Sequence, residues 1–188
     1  VRVVAGEAKG RRLRAPRGAD ARYTSDFVRE ALFNILAPRL TGARFLDLFA
    51  GVGSVGLEAA SRGAAEVVMV ERDPVRVGYA ARNARETGLS PGCRIYRQDV
   101  FAAIDILRRR QQRFDLIFLD PPYQQQLAQV ALERLATAEV LADDGILVIE
   151  HSRRETMPAA VSPLRLVRRE EYGEAALSFY QVDRKEVI

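Results

Sequence analysis

The chain has 188 residues, 48% hydrophobic and 29% charged, which fits one globular α/β domain with a buried core and excludes a disordered or fibrous protein. No apolar stretch is long enough to span a bilayer, and the opening Val1-Arg2-Val3-Val4 lacks the apolar segment of a signal peptide, so no membrane partner is expected. A single cysteine (Cys93) excludes an internal disulfide and suits a reducing cytoplasm; with only one histidine (His151) besides, no metal site is expected.

The formal net charge of +4 is concentrated at one end. Residues 1–22 hold seven basic side chains (Arg2, Lys9, Arg11, Arg12, Arg14, Arg17, Arg22) against two acidic ones (Glu7, Asp20), leaving 22 basic and 23 acidic residues elsewhere. Such a patch is the electrostatic footprint of a polyanion. In a chain with 27 Arg and two Lys, a merely solvated arginine-rich surface is the alternative.

In chain order, Val1-Arg2-Val3-Val4 and Arg11-Arg12-Leu13-Arg14 read as short strands about a turn at Gly6 and Lys9-Gly10. Pro16, Gly18 and Asp20 form an irregular connector. Thr24-Ser25-Asp26 is helix N-cap chemistry, and Phe27, Ala31, Leu32, Ile35 and Leu36 fall at helical spacing up to a break at Pro38. Phe33, Ile35 and Leu36 are expected in the core. From Ala43 strands at 44–49, 66–71, 94–98, 114–119 and 145–150 alternate with helices at 54–62, 75–87, 100–110 and 125–138, the pattern of a parallel sheet covered on both faces. Residues 164–168 and 176–182, about Tyr172-Gly173, read as a closing antiparallel hairpin. Arg108-Arg109-Arg110 with Arg113 ends a helix, where cations oppose the dipole favourably. Cys93 precedes a strand as an inert thiol, and His151 follows a strand as a loop histidine.

Gly51-Val52-Gly53-Ser54-Val55-Gly56 links a strand to a helix and matches G-x-G-x-x-G, with Glu71 at the end of the next strand. That pattern serves NAD or NADP as readily as S-adenosylmethionine. Asp47, just ahead of the turn, would sit poorly beside a pyrophosphate but suits the methionine ammonium. Asp99, after the third strand, suits an adenine amino group. With Asp120 after the fourth strand, these acids are expected in register along the sheet's ligand edge.

Asp120-Pro121-Pro122-Tyr123 ends the apolar run 114–119. D-P-P-x is ordinary turn chemistry, but it also resembles the catalytic loop of the amino-methyltransferases, which move a methyl from S-adenosylmethionine to an exocyclic base nitrogen. Such an amine is a poor nucleophile. A carboxylate and a Pro-Pro carbonyl accepting its N–H bonds would orient it and favour the transition state, while Tyr123 offers a stacking face.

Over nearly its whole length the chain resembles the RsmD family, which makes N2-methylguanine in small-subunit (16S) ribosomal RNA. The resemblance is carried by Val3-Val4-Ala5-Gly6 with Lys9-Gly10-Arg11, by Val28-Arg29-Glu30-Ala31-Leu32-Phe33-Asn34-Ile35-Leu36 and by Asp47-Leu48-Phe49-Ala50-Gly51. It continues in Gly56-Leu57-Glu58-Ala59, Ser61-Arg62-Gly63-Ala64, the Asp120-Pro121-Pro122-Tyr123 loop and Tyr172-Gly173. It implies a class I methyltransferase fold: a seven-stranded, mostly parallel sheet with an antiparallel last strand (41–188), behind a basic hairpin-and-helix extension (1–40). It further implies S-adenosylmethionine held by Asp47, Gly51, Gly53, Glu71 and Asp99, and a base handled by Asp120, Pro121, Pro122 and Tyr123. Lys9, Arg11, Arg12 and Arg14 are the expected RNA contacts of a monomer acting on ribosomal RNA, the small subunit or its assembly intermediate. Arg22-Tyr23-Thr24 and Val52 depart from the family pattern of Arg-Pro-Thr and a small polar residue. The rivals are another RNA or DNA amino-methyltransferase, though no segment here is long enough for a target-recognition region, and a non-catalytic RNA-binding or assembly module.

Overall fold

Strands β1 (Arg44–Leu48), β2 (Glu66–Glu71) and β4 (Phe114–Leu119) are buried along almost their whole length, as central parallel strands require. In the computed structural model, which describes residues 1–16, 25–122 and 126–183, they share one sheet with β3 (Cys93–Arg97), β5 (Leu141–Ser152), β6 (Ala160–Val161), β7 (Leu164–Tyr172) and β8 (Ala175–Val182). The order is β3-β2-β1-β4-β5-β8-β7-β6. The first five are mutually parallel, and β8 runs antiparallel between β5 and β7. The sheet has eight strands instead of seven, because the two-residue β6 adds to the edge of the closing hairpin. Strand β5 begins at Leu141, earlier than the expected 145: its pairing with β4 jumps from Phe114↔Leu141 to Leu116↔Ile146, so Asp143 and Asp144 ride in an irregularity of the pairing.

Successive strand residues face opposite sides and build two cores. One joins Phe45, Met69 and Phe118 to helices α1 (Asp26–Leu40), α2 (Ser54–Ser61) and α3 (Pro74–Thr87) and to Val3, Ala8 and Leu13 of the arm. The other joins Leu46, Val70 and Ile117 to α4 (Val100–Arg109) and α5 (Leu127–Ala138). Among the described residues no helix is long and apolar enough to cross a membrane.

Ser25 caps α1, accepting from Val28 N at 3.1 Å. The helix does not break at Pro38 but runs on to Leu40. The carbonyl that Pro38 deprives of a donor belongs to exposed Asn34, where water can replace it, and burial of Leu40 holds the last turn in place. Phe33 and Leu36 are buried and Ile35 packs against the same core, but Phe27 is 67% exposed. Thr24, the connector at Gly18 and Asp20, and Arg22-Tyr23 lie outside the described residues.

The arm forms a single antiparallel bridge, Arg2↔Arg12, in place of two full strands. Val3, Gly10 and Leu13 donate across the arm, while other backbone donors are drawn to α2. Val4 N and Ala5 N donate to the two Glu58 carboxylate oxygens at 2.7 and 2.9 Å, and Ala8 N donates to Ser61 Oγ at 2.9 Å. Gly6 has φ +82°, and a Cβ there would stand 1.8 Å from Ser61 O, so this contact admits only glycine. Glu58 is wholly buried and pairs with Arg62 Nε at 2.7 Å and with the equally buried Arg29 Nε at 3.6 Å.

His151 is not a loop residue. It lies inside β5, fully buried, with Nδ1 2.8 Å from Ser152 O and Nε2 2.8 Å from Ser178 Oγ. A carbonyl can only accept, so Nδ1 carries the proton and Nε2 accepts from the serine; burial lowers the pKa and keeps the ring neutral.

Replacing Glu58 by alanine strips partners from Val4, Ala5, Arg62 and Arg29 together. Urea denaturation should show a loss of about 3–5 kcal/mol, since breaking a buried pair strands the remaining charge, and proteolysis should begin in the arm. A loss below about 1 kcal/mol, within the range of a surface pair, would mean that Glu58 does not anchor the arm.

Candidate active site

The strand order reverses between β1 and β4, whose connections leave to opposite sides. In an open α/β sheet that reversal leaves a crevice outside the carboxyl ends of the strands, where ligands sit. One lip is the turn after β1. The other is Asp120-Pro121-Pro122 after β4, with Asp120 half-buried, Pro121 buried and Pro122 exposed. Tyr123 lies outside the described residues.

The strand-end acids are staggered, not in register. Leu48 stands opposite both Val70 and Leu119, so Glu71 and Asp120 are level one residue further on. Asp47 is two residues lower, opposite Met69 and Phe118, and Asp99 is two residues beyond Arg97, the partner of Glu71. Each two-residue step is roughly 6–7 Å along the strand. Strand pairing sets the stagger, and each acid meets a different local demand.

Asp99 is exposed and caps α4, its Oδ1 accepting from Phe101 N at 3.0 Å and Ala102 N at 3.1 Å. Glu71 gathers the turn: Oε2 accepts from Gly51 N and Oε1 from Asp73 N, both at 2.9 Å. Asp47 is 1% exposed and accepts from Gly56 N, on α2, at 2.8 Å. Burial, only partly offset by that hydrogen bond and reinforced by the Glu71 charge, raises its pKa from 3.8 to about 8.

Phe49, Gly51 and Gly53 all adopt positive φ (64°, 58° and 84°). For Phe49 this is strained backbone of the kind held at functional sites, and composition gives no sign of it. A Cβ on Gly51 would meet open space, whereas one on Gly56 would stand 2.7 Å from Met69 Sδ and 3.2 Å from Asp47 Oδ2. Thus Gly56 sets the close approach of helix to sheet, and Gly51 leaves the turn's outer surface bare. A turn left bare at Gly51, close to a buried acid whose pKa a nearby cation would lower, fits a ligand that carries a cation and lies close to the main chain.

Asn83 is a site residue that pattern reading misses. It is fully buried on α3; its Oδ1 accepts from Arg14 N at 2.8 Å, and its Nδ2 donates to Arg14 O and Val52 O, both at 3.0 Å. The carboxamide therefore ties the end of the arm to the glycine turn. Its only signal in the sequence is an amide on the helix face that it shares with Ala80, Ala84 and Thr87.

Lys9, Arg11, Arg12 and Arg14 are all exposed. Arg14 Nε is held by Glu86 at 2.9 Å, a carboxylate shared with Arg82, and Arg11 Nη1 reaches Glu86 O at 3.3 Å. Cys93 begins β3 and is half-buried, its pKa pushed up to about 11, so it stays a thiol. Two cavities lie away from the crevice. One of about 160 Å³ runs beneath α4, between Val70, Tyr96 and Leu107. The other, about 280 Å³, opens near Arg39, Thr41 and Asp115, at the amino end of β1.

A family model described as "Conserved hypothetical protein 95" matches residues 1–181. YlbH of Bacillus subtilis (strain 168) is 37% identical over 96% of this chain and 98% of its own length. "Ribosomal RNA small subunit methyltransferase D" of Escherichia coli (strain K12) is 32% identical over 96% of this chain and 89% of its own. Among solved structures, a hypothetical protein of Thermus thermophilus superposes with a TM-score of 0.84 at 38% identity, over 97% of this chain and 99% of that one. The architecture is the Rossmann-like class I S-adenosylmethionine-dependent methyltransferase fold, with a mixed sheet and an N-terminal extension.

Because the folded pKa of Asp47 lies above its unfolded value, the folded chain retains a proton that the unfolded chain has released. The stability this contributes is complete below about 3.8 and drains away as pH climbs through about 8. Asp47→Asn should keep the acceptor for Gly56 and remove the titration. Melting profiles should converge at acid pH and separate as pH rises, the variant ending about 1–3 kcal/mol more stable. Parallel profiles would mean that Asp47 is ionised in the free protein.

Proposed function

The chain belongs to the Conserved hypothetical protein 95 family, and from that premise we propose that it transfers a methyl group from S-adenosylmethionine to the exocyclic N2 of a guanine in small-subunit (16S) ribosomal RNA. The observation that carries this reading is the crevice between β1 and β4, which sets the glycine turn beside the Asp120-Pro121-Pro122 loop. The curated relative from Escherichia coli bears the name of a small-subunit ribosomal RNA methyltransferase, which supports the substrate class.

Bound in the crevice, S-adenosylmethionine supplies an electrophilic methyl on a sulfonium. Gly51 would let it approach the main chain while Gly53 keeps the turn at positive φ, and Glu71, which already gathers the turn, would also accept from ribose hydroxyls. Asp99 is assigned the adenine amino group. Asp47 ionises when an ammonium arrives above it, so a buried acid that is costly in the free protein becomes a charge partner in the complex. Asp120 and one backbone carbonyl of the Pro121-Pro122 step accept from the base's two amino N–H groups and hold the nitrogen in line, with stabilisation growing as the nitrogen gains positive charge. The prolines bring no N–H to compete for the carboxylate. Tyr123 is assigned the stacking face. The base must leave its stack to reach this loop. No residue need form a covalent intermediate, and Cys93, a protonated thiol on β3, is not suited to one.

Two measurements test this. Titration calorimetry should show binding of S-adenosylmethionine and of its demethylated product, but not of NAD or NADP. Mass spectrometry of 16S ribosomal RNA treated with the protein should detect N2-methylguanine. Asp120→Ala should slow transfer by roughly 10²–10³-fold with cofactor affinity retained; full activity in that variant would remove the loop from the mechanism. Since Arg14 is already paired, Lys9, Arg11 and Arg12 are the stronger candidates for phosphate contact. Neutralising those three should flatten the dependence of RNA affinity on salt by about 0.7–0.9 per lost contact. An unaltered slope would return the arm to the status of a solvated surface.

A further inference from the structure

Phe27 shares helical spacing with Ala31 and Ile35, on the side of α1 turned away from the buried Leu32 and Leu36, and is 67% exposed, the most exposed of the large apolar side chains among the described residues. Its ring does not hang free: it meets Tyr172 edge-to-face, with centroids 5.7 Å apart and planes at 81°. Tyr172 is packed against the core and forms the last residue of β7. The pairings Ser152↔Ala175 and Tyr172↔Ala175 put the β7–β8 turn level with the carboxyl end of β5, the same edge of the sheet as Asp120. Asp120 is level with Glu150, since Leu119 stands opposite Ile149. Tyr172 is therefore three strands across and two residues outward, roughly 16 Å from the crevice at the usual strand spacings. A nucleic acid strand with one base in the crevice covers that distance within a few nucleotides.

The surroundings carry arginines beside acids: on β7 next to Tyr172, Glu170 and Glu171 are met by Arg168 and Arg169. Arg153 and Arg154 both lean on the single carboxylate of Glu174, at 3.2 and 3.6 Å, leaving one charge of the three uncompensated at the turn. Arg2, 68% exposed, stands 3.8 Å from Asp26, beside Phe27. An exposed aromatic ring met edge-on by a second ring, at the ligand edge of the sheet and with Arg2 near its base, is an arrangement suited to stacking a nucleic acid base.

We propose that Phe27, braced by Tyr172, is a stacking platform for a base flanking the target guanine. This rests on the RNA methyltransferase reading above. Stacking needs a π-face rather than mere apolarity, so the informative comparison is among Phe27→Trp, Phe27→Leu and Phe27→Ala. Affinity for in vitro transcribed 16S ribosomal RNA and for small subunits would be read alongside cofactor affinity and melting temperature. The leucine and alanine variants should each lose RNA affinity about 5- to 100-fold, while tryptophan retains it; cofactor affinity and melting temperature should stay put in all three. Wild-type RNA affinity in the leucine variant, with loss only in alanine, would overturn the platform in favour of an apolar protein contact. No loss in either would overturn it outright. Should the unaltered protein methylate neither substrate, the underlying reading fails before any Phe27 variant is compared.

Discussion

Helix α2 is eight residues long and seven of them are buried, because it is packed from both sides. Toward the sheet, Gly56 brings its backbone so near β1 and β2 that Asp47 can accept the Gly56 N–H, and no side chain fits between. Toward the surface, Glu58 and Ser61 take the backbone donors of the arm. The glycine turn precedes this helix and inherits its position. A residue larger than glycine at 56 would displace the helix, and with it both the floor of the crevice and the seat of the arm.

The arm is thereby more than a charged tail. It contributes Val3, Ala8 and Leu13 to a core shared with the sheet. At its end Asn83 holds Arg14 and Val52 with one carboxamide, so the segment carrying the basic residues and the turn beside the crevice share a common support. A fully satisfied buried amide of this kind fixes one arrangement, since any shift leaves a polar atom unpaired.

The βα alternation, the glycine turn and the Asp-Pro-Pro loop are legible in the sequence because each rests on local pattern: apolar runs, φ-permissive residues and caps. What escapes the sequence depends on neighbours distant along the chain. His151 reads as a loop residue until Ser178, 27 positions away, arrives as its partner in the sheet. Phe27 reads only as one of several apolar residues at helical spacing; its edge-to-face partner Tyr172 comes from the far end of the chain. The stagger of Asp47 against Glu71 follows from where β1 gives way to the turn, and strand pairing sets that point. Asp47 is legible as an acid near a turn; that it is buried, and so held protonated, requires the fold.

The two rims of the sheet are built differently from its middle. One ends on β3, where Arg94, Tyr96 and Arg97 are exposed, and the other on β7, where the two-residue β6 covers only Leu164 and Arg165 and Arg168 and Arg169 follow, exposed. An open strand offers unpaired N–H and C=O groups to any passing chain; charged side chains along it discourage that pairing. Arginines at both rims thus oppose the addition of a ninth strand from a neighbouring molecule, a demand that the apolar centre of the sheet never meets.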